Sequence, residues 1–230
     1  MTYILNEEMN ISQILNGLHK NILLHMFRVS SLVDILACNY RDFPAFPGFA
    51  DRDELALYGE AALYHDIGKA FIPFSIIAKP YRFTVEETDI MDKHPLCAEV
   101  IFKDVESGRI VGIRKELIGL ARSASVFHHE WWNGGGYPYG IGYGDIPLIA
   151  RITSVCDAYD AMTNNRIYRT ACSHAEACRE LRAFSGTQFD PEIIRAFLAC
   201  EKAVSMAARN DGNTLLCRSR TNRMKIDDLY

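Results

Sequence analysis

The chain has 230 residues, 49% of them hydrophobic and 23% charged, with a formal net charge of −4. That length and apolar content can bury one full core, so a single domain with at most a small appendage is expected. The mild acidity excludes a strongly basic face for long nucleic acids, while leaving room for a local basic pocket that holds a small phosphate ligand.

The apolar pattern is helical almost throughout. Ile11, Ile14, Leu15, Leu18, Ile22, Met26, Val29, Leu32, Val33 and Leu36 recur in steps of three and four, which predicts one long amphipathic helix. It ends before an aromatic, proline-bearing loop from Tyr40 to Ala50. A second helix is expected from about Asp53 to Asp66, stopping near Gly68. Thr84 and Glu87 form a capping box that opens a third. Pro95 cannot continue that helix, so His94 falls at a break and a new helix begins beside it. Ile113 to His129 reads as helical. Trp131 to Asp145 carries Gly134, Gly135, Gly136, Gly140, Gly142 and Gly144 and must be a loop. Pro147 starts a helix reaching about Met162, Ser173 and Glu176 form another capping box, and Asp190-Pro191 opens a last helix. No block alternates with period two. The expected fold is all-α, with one domain over residues 1–205 and a polar tail over 206–230.

The cysteines are seven in number, dispersed, and form no Cys-x-x-Cys pair, which predicts free, mostly buried thiols in a reducing compartment. No stretch reads as long and apolar enough to cross a bilayer, and the first ten residues lack a signal-peptide layout. A soluble, cytoplasmic protein without a membrane partner is expected.

Five of the seven histidines fall at helix ends or beside carboxylates; His19 and His174 are read as surface residues. On periodicity alone His25, between Ile22 and Val29, is a core histidine, and His65-Asp66 is a weak signal. His128-His129, at the mouth of the glycine-rich loop, is stronger. Asp157 lies in an otherwise apolar helix, where an unpaired carboxylate is costly and a cation would satisfy it. Lys69 reads equally as a solvated lysine or as a phosphate-oxygen ligand. Five imidazoles and two carboxylates are too many for one tetrahedral ion. They suit two N/O-bound ions, iron, manganese or zinc, about 3.5–4 Å apart with a carboxylate such as Asp66 between them, able to hold a hydroxide for phosphoester attack.

Here the sequence resembles a known family. Ala62-Leu63-Tyr64-His65-Asp66-Ile67-Gly68-Lys69 is similar to the signature of the HD superfamily. His128-His129-Glu130-Trp131-Trp132-Asn133-Gly134-Gly135-Gly136-Tyr137-Pro138 is similar to that of the HD-GYP subgroup. The ordered match runs from about Leu18 to Leu198 and includes Asp157-Ala158-Tyr159-Asp160-Ala161-Met162 and Gly186-Thr187-Gln188-Phe189-Asp190-Pro191. The resemblance implies an all-helical HD fold and hydrolysis of cyclic di-GMP to pGpG, sometimes on to GMP. It implies metal ligands at His25, His65, Asp66, His94, His128, His129 and Asp157, with Asp66 and Lys69 catalytic. It further implies substrate contacts from Lys69, Tyr137, Asp160, Arg166 and Arg169, and GGDEF-domain partners at the Gly-Tyr-Pro loop.

Members with three metals carry a glutamate one helical turn before the first histidine, where this chain has Asn21. Two divalent ions, iron or manganese with zinc acquired on purification, are therefore expected, with pGpG as the main product. Asn133 replaces a usual aspartate, with a loop-structural effect only. No sensory domain precedes the matching region in this sequence, so input is expected from a partner or from metal and substrate supply. The alternatives are hydrolysis of a related cyclic dinucleotide such as cyclic GMP-AMP, or a catalytically weak cyclic di-GMP receptor.

Overall fold

The expected long first helix is two helices. In the structure, a computed structural model that describes residues 9–41, 51–165 and 170–209, α1 (Ile11–Asn16) ends at Gly17 and α2 (Lys20–Arg41) starts anew. Local chemistry explains the break. Asn10 caps α1 in a box with Gln13, and the Gly17 N–H closes the turn onto the carbonyls of Gln13 and Ile14. Leu15 and Leu18 stay buried across the break, so the apolar spacing continues while the helix does not.

The expected helix from Asp53 to Asp66 is likewise divided. Asp51 caps α3 (Arg52–Leu55), α4 (Tyr58–Ala62) follows, and turns lead through His65 and Asp66 into a 3₁₀ segment, Ile67–Phe71. After α5 (Phe74–Ile77), Thr84 and Glu87 cap α6 (Val85–Met91) as expected, and α7 (His94–Glu106) carries Pro95 in its first turn. Next come α8 (Lys115–Phe127), α9 (Leu148–Thr163), α10 (His174–Ala183, capped by Ser173) and α11 (Pro191–Ala199, capped by Asp190). The last described element, α12 (Glu201–Arg209), runs past the expected boundary at residue 205. The rest of that tail, most of the 40–50 loop, Cys217, Arg166 and Arg169 lie outside the described residues. Two strands of two residues, β1 (Met9–Asn10) and β2 (Ile110–Val111), pair in parallel, Met9 against Ile110. The fold is all-α.

α2 is the central helix. It packs against α4 and α9, with α11 and α12 laid on it, and buries Met26, Val29, Leu32, Val33, Leu36 and Ala37. Full burial of each larger side chain in that stripe is worth about 1.5–3 kcal/mol. Its composition corrects one expectation: Lys20–Tyr40 is long and apolar enough to cross a membrane on those two criteria. The apolarity instead fills the domain core, and the same helix carries His25, Arg28 and Asp34. Among the described residues the thiols divide evenly: Cys156, Cys178 and Cys200 are buried, Cys97 and Cys172 half-buried, and Cys38 exposed.

Candidate metal centre

Elements remote in sequence deliver one donor cluster. His25 comes from α2, His65 and Asp66 from the turn after α4, and His94 from the first residue of α7. His128 and His129 close α8, and Asp157 sits on α9. The turn at Asp66 lies hard against α7: a Cβ on Gly68 would stand 1.9 Å from the His94 carbonyl oxygen, so only glycine fits. Ser125 on α8 donates to the Tyr64 carbonyl at 2.8 Å and ties that helix to the same turn. Gly136 is similarly confined, its absent Cβ 2.3 Å from the Trp131 nitrogen, which presses the glycine-rich loop onto the end of α8.

Four imidazoles are held by their Nδ1 atoms. His65 Nδ1 is 3.0 Å from the Ala62 carbonyl, His94 Nδ1 2.9 Å from that of Met91, and His128 Nδ1 2.9 Å from that of Ala124. His25 Nδ1 is 2.7 Å from Asp160 Oδ2. Each such Nδ1 must be a donor, which turns Nε2 inward with its lone pair free in the neutral ring. The inward atoms then face one another: His25 and His65 Nε2 are 3.2 Å apart, His94 and His128 Nε2 3.4 Å apart. The two lone pairs of neutral His94 and His128 repel at that distance. Two nitrogens each about 2.1 Å from one ion at a tetrahedral angle stand roughly 3.4 Å apart, so the spacing is that of a shared cation.

Asp66 divides the cluster. Its Oδ2 is 3.5 Å from both His25 and His65 Nε2, and its Oδ1 is 3.4 Å from His94 and 3.9 Å from His128 Nε2. Asp157 completes the first group, 3.1 Å from His25 Nε2, and His129 joins the second. The result is two donor groups, His25–His65–Asp157 and His94–His128–His129, with one carboxylate oxygen turned to each.

The electrostatics suit the same use. Burial, reinforced by the nearby Lys69 charge, lowers the His94 imidazole to about 3. Burial lowers His129 to about 4 and holds His128 well below the usual imidazole range. All three are neutral at physiological pH. Burial would raise Asp66 and Asp157, but Lys69 and the histidines around Asp66, and His25 beside Asp157, hold both well below the usual carboxylate range. Burial would also lower His25, yet Asp157 and Asp160 outweigh it and raise the ring to about 9. A cation there would replace the Nε2 proton. His65, Asp66, His94 and His128 are buried, whereas His25, Asp157 and Lys69 retain exposure, so solvent reaches the cluster from their side.

Lys69 Nζ lies 2.5 Å from Asp66 Oδ2 at that open edge. Tyr137 stacks on His129, ring centroids 4.8 Å apart, and its hydroxyl bonds Asp92. Asp160 is expected among the substrate contacts. It is buried behind His25, where Arg28 donates to both its oxygens at 2.7 and 2.9 Å and Asn164 donates to Oδ1 at 2.9 Å. Its oxygens are thus engaged by Arg28, Asn164 and the His25 ring, which it holds in place. Sequence reading missed Arg28, whose place one turn after His25 was the available signal. It also missed Glu130, which is buried and accepts the Tyr139 N–H at 2.7 Å inside the glycine-rich loop. His174 is not a surface residue either: it is half-buried, 2.8 Å from the Tyr159 hydroxyl.

The family model described as HD domain matches residues 51–193. The chain belongs to the HD domain family. Its HD dipeptide is His65-Asp66, and Gly136-Tyr137-Pro138 resembles the signature of the HD-GYP subgroup. HD-domain phosphohydrolases are metal-dependent, and the His/Asp groups of this HD domain could bind metal. A probable cyclic di-GMP phosphodiesterase of Vibrio cholerae is 35% identical over 77% of this chain and 40% of its own length. A 3'3'-cGAMP-specific phosphodiesterase of the same organism is 32% identical over 76% of this chain and 30% of its own length. The chain spans between 30% and 40% of the length of these curated relatives. Bd1817, a HDG"Y"P protein from Bdellovibrio bacteriovorus, shares the fold, with a TM-score of 0.56 at 21% identity over 77% of this chain and 51% of that one.

Proposed function

We propose that this HD domain hydrolyses cyclic di-GMP to pGpG at a two-metal centre. His25, His65, Asp157 and Asp66 Oδ2 would hold one divalent ion, and His94, His128, His129 and Asp66 Oδ1 the other. The division of the Asp66 carboxylate between two histidine groups is the observation that carries this reading. Donors limited to nitrogen and oxygen favour iron or manganese, with zinc as a replacement. When bound, such a pair supplies a nucleophilic water at neutral pH and offsets charge on the phosphoryl oxygens.

The chain's own residues do the rest. Neutral His94, His128 and His129 leave the pocket without positive charge of their own, so the ionised Asp66 and Asp157 can fix cations there. Lys69, at the open edge, binds a non-bridging oxygen of the scissile phosphate and holds the diester in line. Tyr137, stacked on His129, shapes the rim. Arg166 and Arg169 are proposed to offer guanidinium groups to phosphate and guanine edges. Asp160 acts through His25 and does not touch substrate.

Lys69→Met is expected to lower kcat about 100-fold while leaving metal content unchanged, because it removes a phosphate contact and no metal ligand; a lost ion on elemental analysis would reassign the residue to the metal shell. Asn21 lies exposed, one turn before His25 on α2. Asn21→Glu is expected to raise occupancy from two ions toward three, and an unchanged count would remove the explanation offered for that position.

The direct test is anaerobic reconstitution with iron or manganese, followed by chromatography of products from cyclic di-GMP. Tight binding without product would favour the receptor reading. The 3'3'-cGAMP-specific relative motivates a parallel assay with that dinucleotide; faster turnover of it would reassign the substrate while keeping the chemistry.

A further inference from the structure

Four of the five imidazoles in the HD site carry a hydrogen bond on Nδ1 that aims Nε2 at the centre. His129 is the exception. Among the described residues no hydrogen bond reaches its ring, yet it stands with His94 and His128 in one donor group. An imidazole with nothing behind it turns about its side-chain torsions, and a ligand that turns loses affinity for its ion.

Three rings touch it. His94 and His128 lie 5.0 and 4.0 Å away, centroid to centroid, but both belong to the same donor group. Tyr137 approaches from outside that group, with centroids 4.8 Å apart and planes only 20° from parallel. Stacking of this kind keeps the two planes together. The lone pair of a ring nitrogen lies in the ring plane, so fixing the plane limits the directions the lone pair can take. The Tyr137 N–H also donates to the His129 carbonyl at 3.1 Å, so the residue that covers the ring braces the ligand's backbone as well.

Tyr137 is in turn held by the residue next to His129. Glu130 is 2% exposed, and its Oε1 accepts the Tyr139 N–H at 2.7 Å. That bond folds the glycine-rich loop back over its own start. Gly136 permits the return, since a Cβ there would stand 2.4 Å from the His129 carbonyl oxygen and 2.6 Å from the Glu130 Cα. Tyr137 sits between these two contacts, with Gly136 on one side and the bonded Tyr139 N–H beyond Pro138 on the other.

We propose that Tyr137 is the positioning residue for His129, doing by stacking what a hydrogen bond on Nδ1 does for the other four rings, and that Glu130 holds Tyr137 in place. The inference rests on the two-metal reading of the HD site and adds to it how the His94–His128–His129 group is aimed. It gives Glu130 a part in metal binding through the loop alone.

The test is equilibrium titration of the full, chelator-stripped chain with Mn²⁺ alone, which reads the number of ions and the affinity of each without turnover. Two ions are expected on the unaltered chain. Tyr137 is half-buried in a loop, so its variants leave the core intact. Tyr137→Leu should weaken one ion about tenfold or more and spare the other. Tyr137→Phe keeps the ring and should keep both ions at full affinity. In a His94→Ala background, which already costs that group its ion, Tyr137→Leu should leave the remaining ion unchanged. Glu130→Ala should repeat the Tyr137→Leu result, and Glu130→Gln, which retains a carbonyl acceptor for the Tyr139 N–H, should reverse it. Unchanged affinity for both ions in Tyr137→Leu or in Glu130→Ala, equal weakening of both, or loss of an ion in Tyr137→Phe overturns the proposal. Fewer than two ions on the unaltered chain would instead overturn the two-metal reading itself.

Discussion

Asp66→Asn is expected to empty both halves of the centre and to lower turnover by about 1,000-fold or more, roughly 4 kcal/mol of transition-state stabilisation. The carboxylate faces the His25–His65 pair with one oxygen and the His94–His128 pair with the other. An amide keeps one acceptor and turns an NH₂ toward the remaining imidazole lone pairs, so at least one group loses its fourth donor and meets a donor it cannot use. Lys69 also loses the charge that holds it at 2.5 Å. His94→Ala supplies the contrast, because it removes a donor from one group only and should cost one ion before the other. Elemental analysis beside initial rates separates the cases. Full metal content and near-normal turnover in Asp66→Asn would dismantle the proposed centre.

Asp160→Asn should weaken metal binding at the His25 group by about 10–100-fold while the His94 group keeps its ion. The carboxylate accepts from His25 Nδ1 and, through both oxygens, from Arg28. Without its charge the His25 ring is free to turn and Nε2 loses its aim. Stability should also fall, on the order of 2 kcal/mol, reduced from the usual cost of breaking a buried pair because Arg28 is 25% exposed. The pH dependence has a definite sign. Burial raises the Asp160 carboxyl, but His25 and Arg28 more than offset it, so the native value lies below the ordinary 3.8. Its stabilisation is therefore complete above 3.8 and is lost as the pH falls through the lowered native value. Thermal denaturation across acid pH should show that loss in the unaltered protein and a flatter profile in Asp160→Asn. Equal affinity at both metal groups in the variant would refute the positioning role.

The starts of α6, α10 and α11 were legible because a cap is local chemistry, and those of α7 and α9 because each begins beside a proline. Thr84 with Glu87, Ser173 with Glu176, and Asp190 before Pro191 each settle their helix within four residues. Periodicity was a weaker guide. It joined α1 to α2 across Gly17, since burial of Leu15 and Leu18 preserves the spacing whether or not the backbone stays helical. It also merged α3, α4 and the turn at His65 into one helix.

For the candidate site, sequence by itself determined the donor types and the motifs His65-Asp66 and His128-His129-Glu130, from which two N/O-bound ions were expected. Only the tertiary structure decided how the donors divide, which Asp66 oxygen faces which group, and that Asp160 stands behind His25. It alone joined His174 to Tyr159 and laid Tyr137 on His129. The reason is physical. A cap or a signature is set by neighbours along the chain, whereas His25 and Asp160 meet across 135 residues. Their juxtaposition depends on how α2 and α9 pack in the core, and no local pattern encodes that packing.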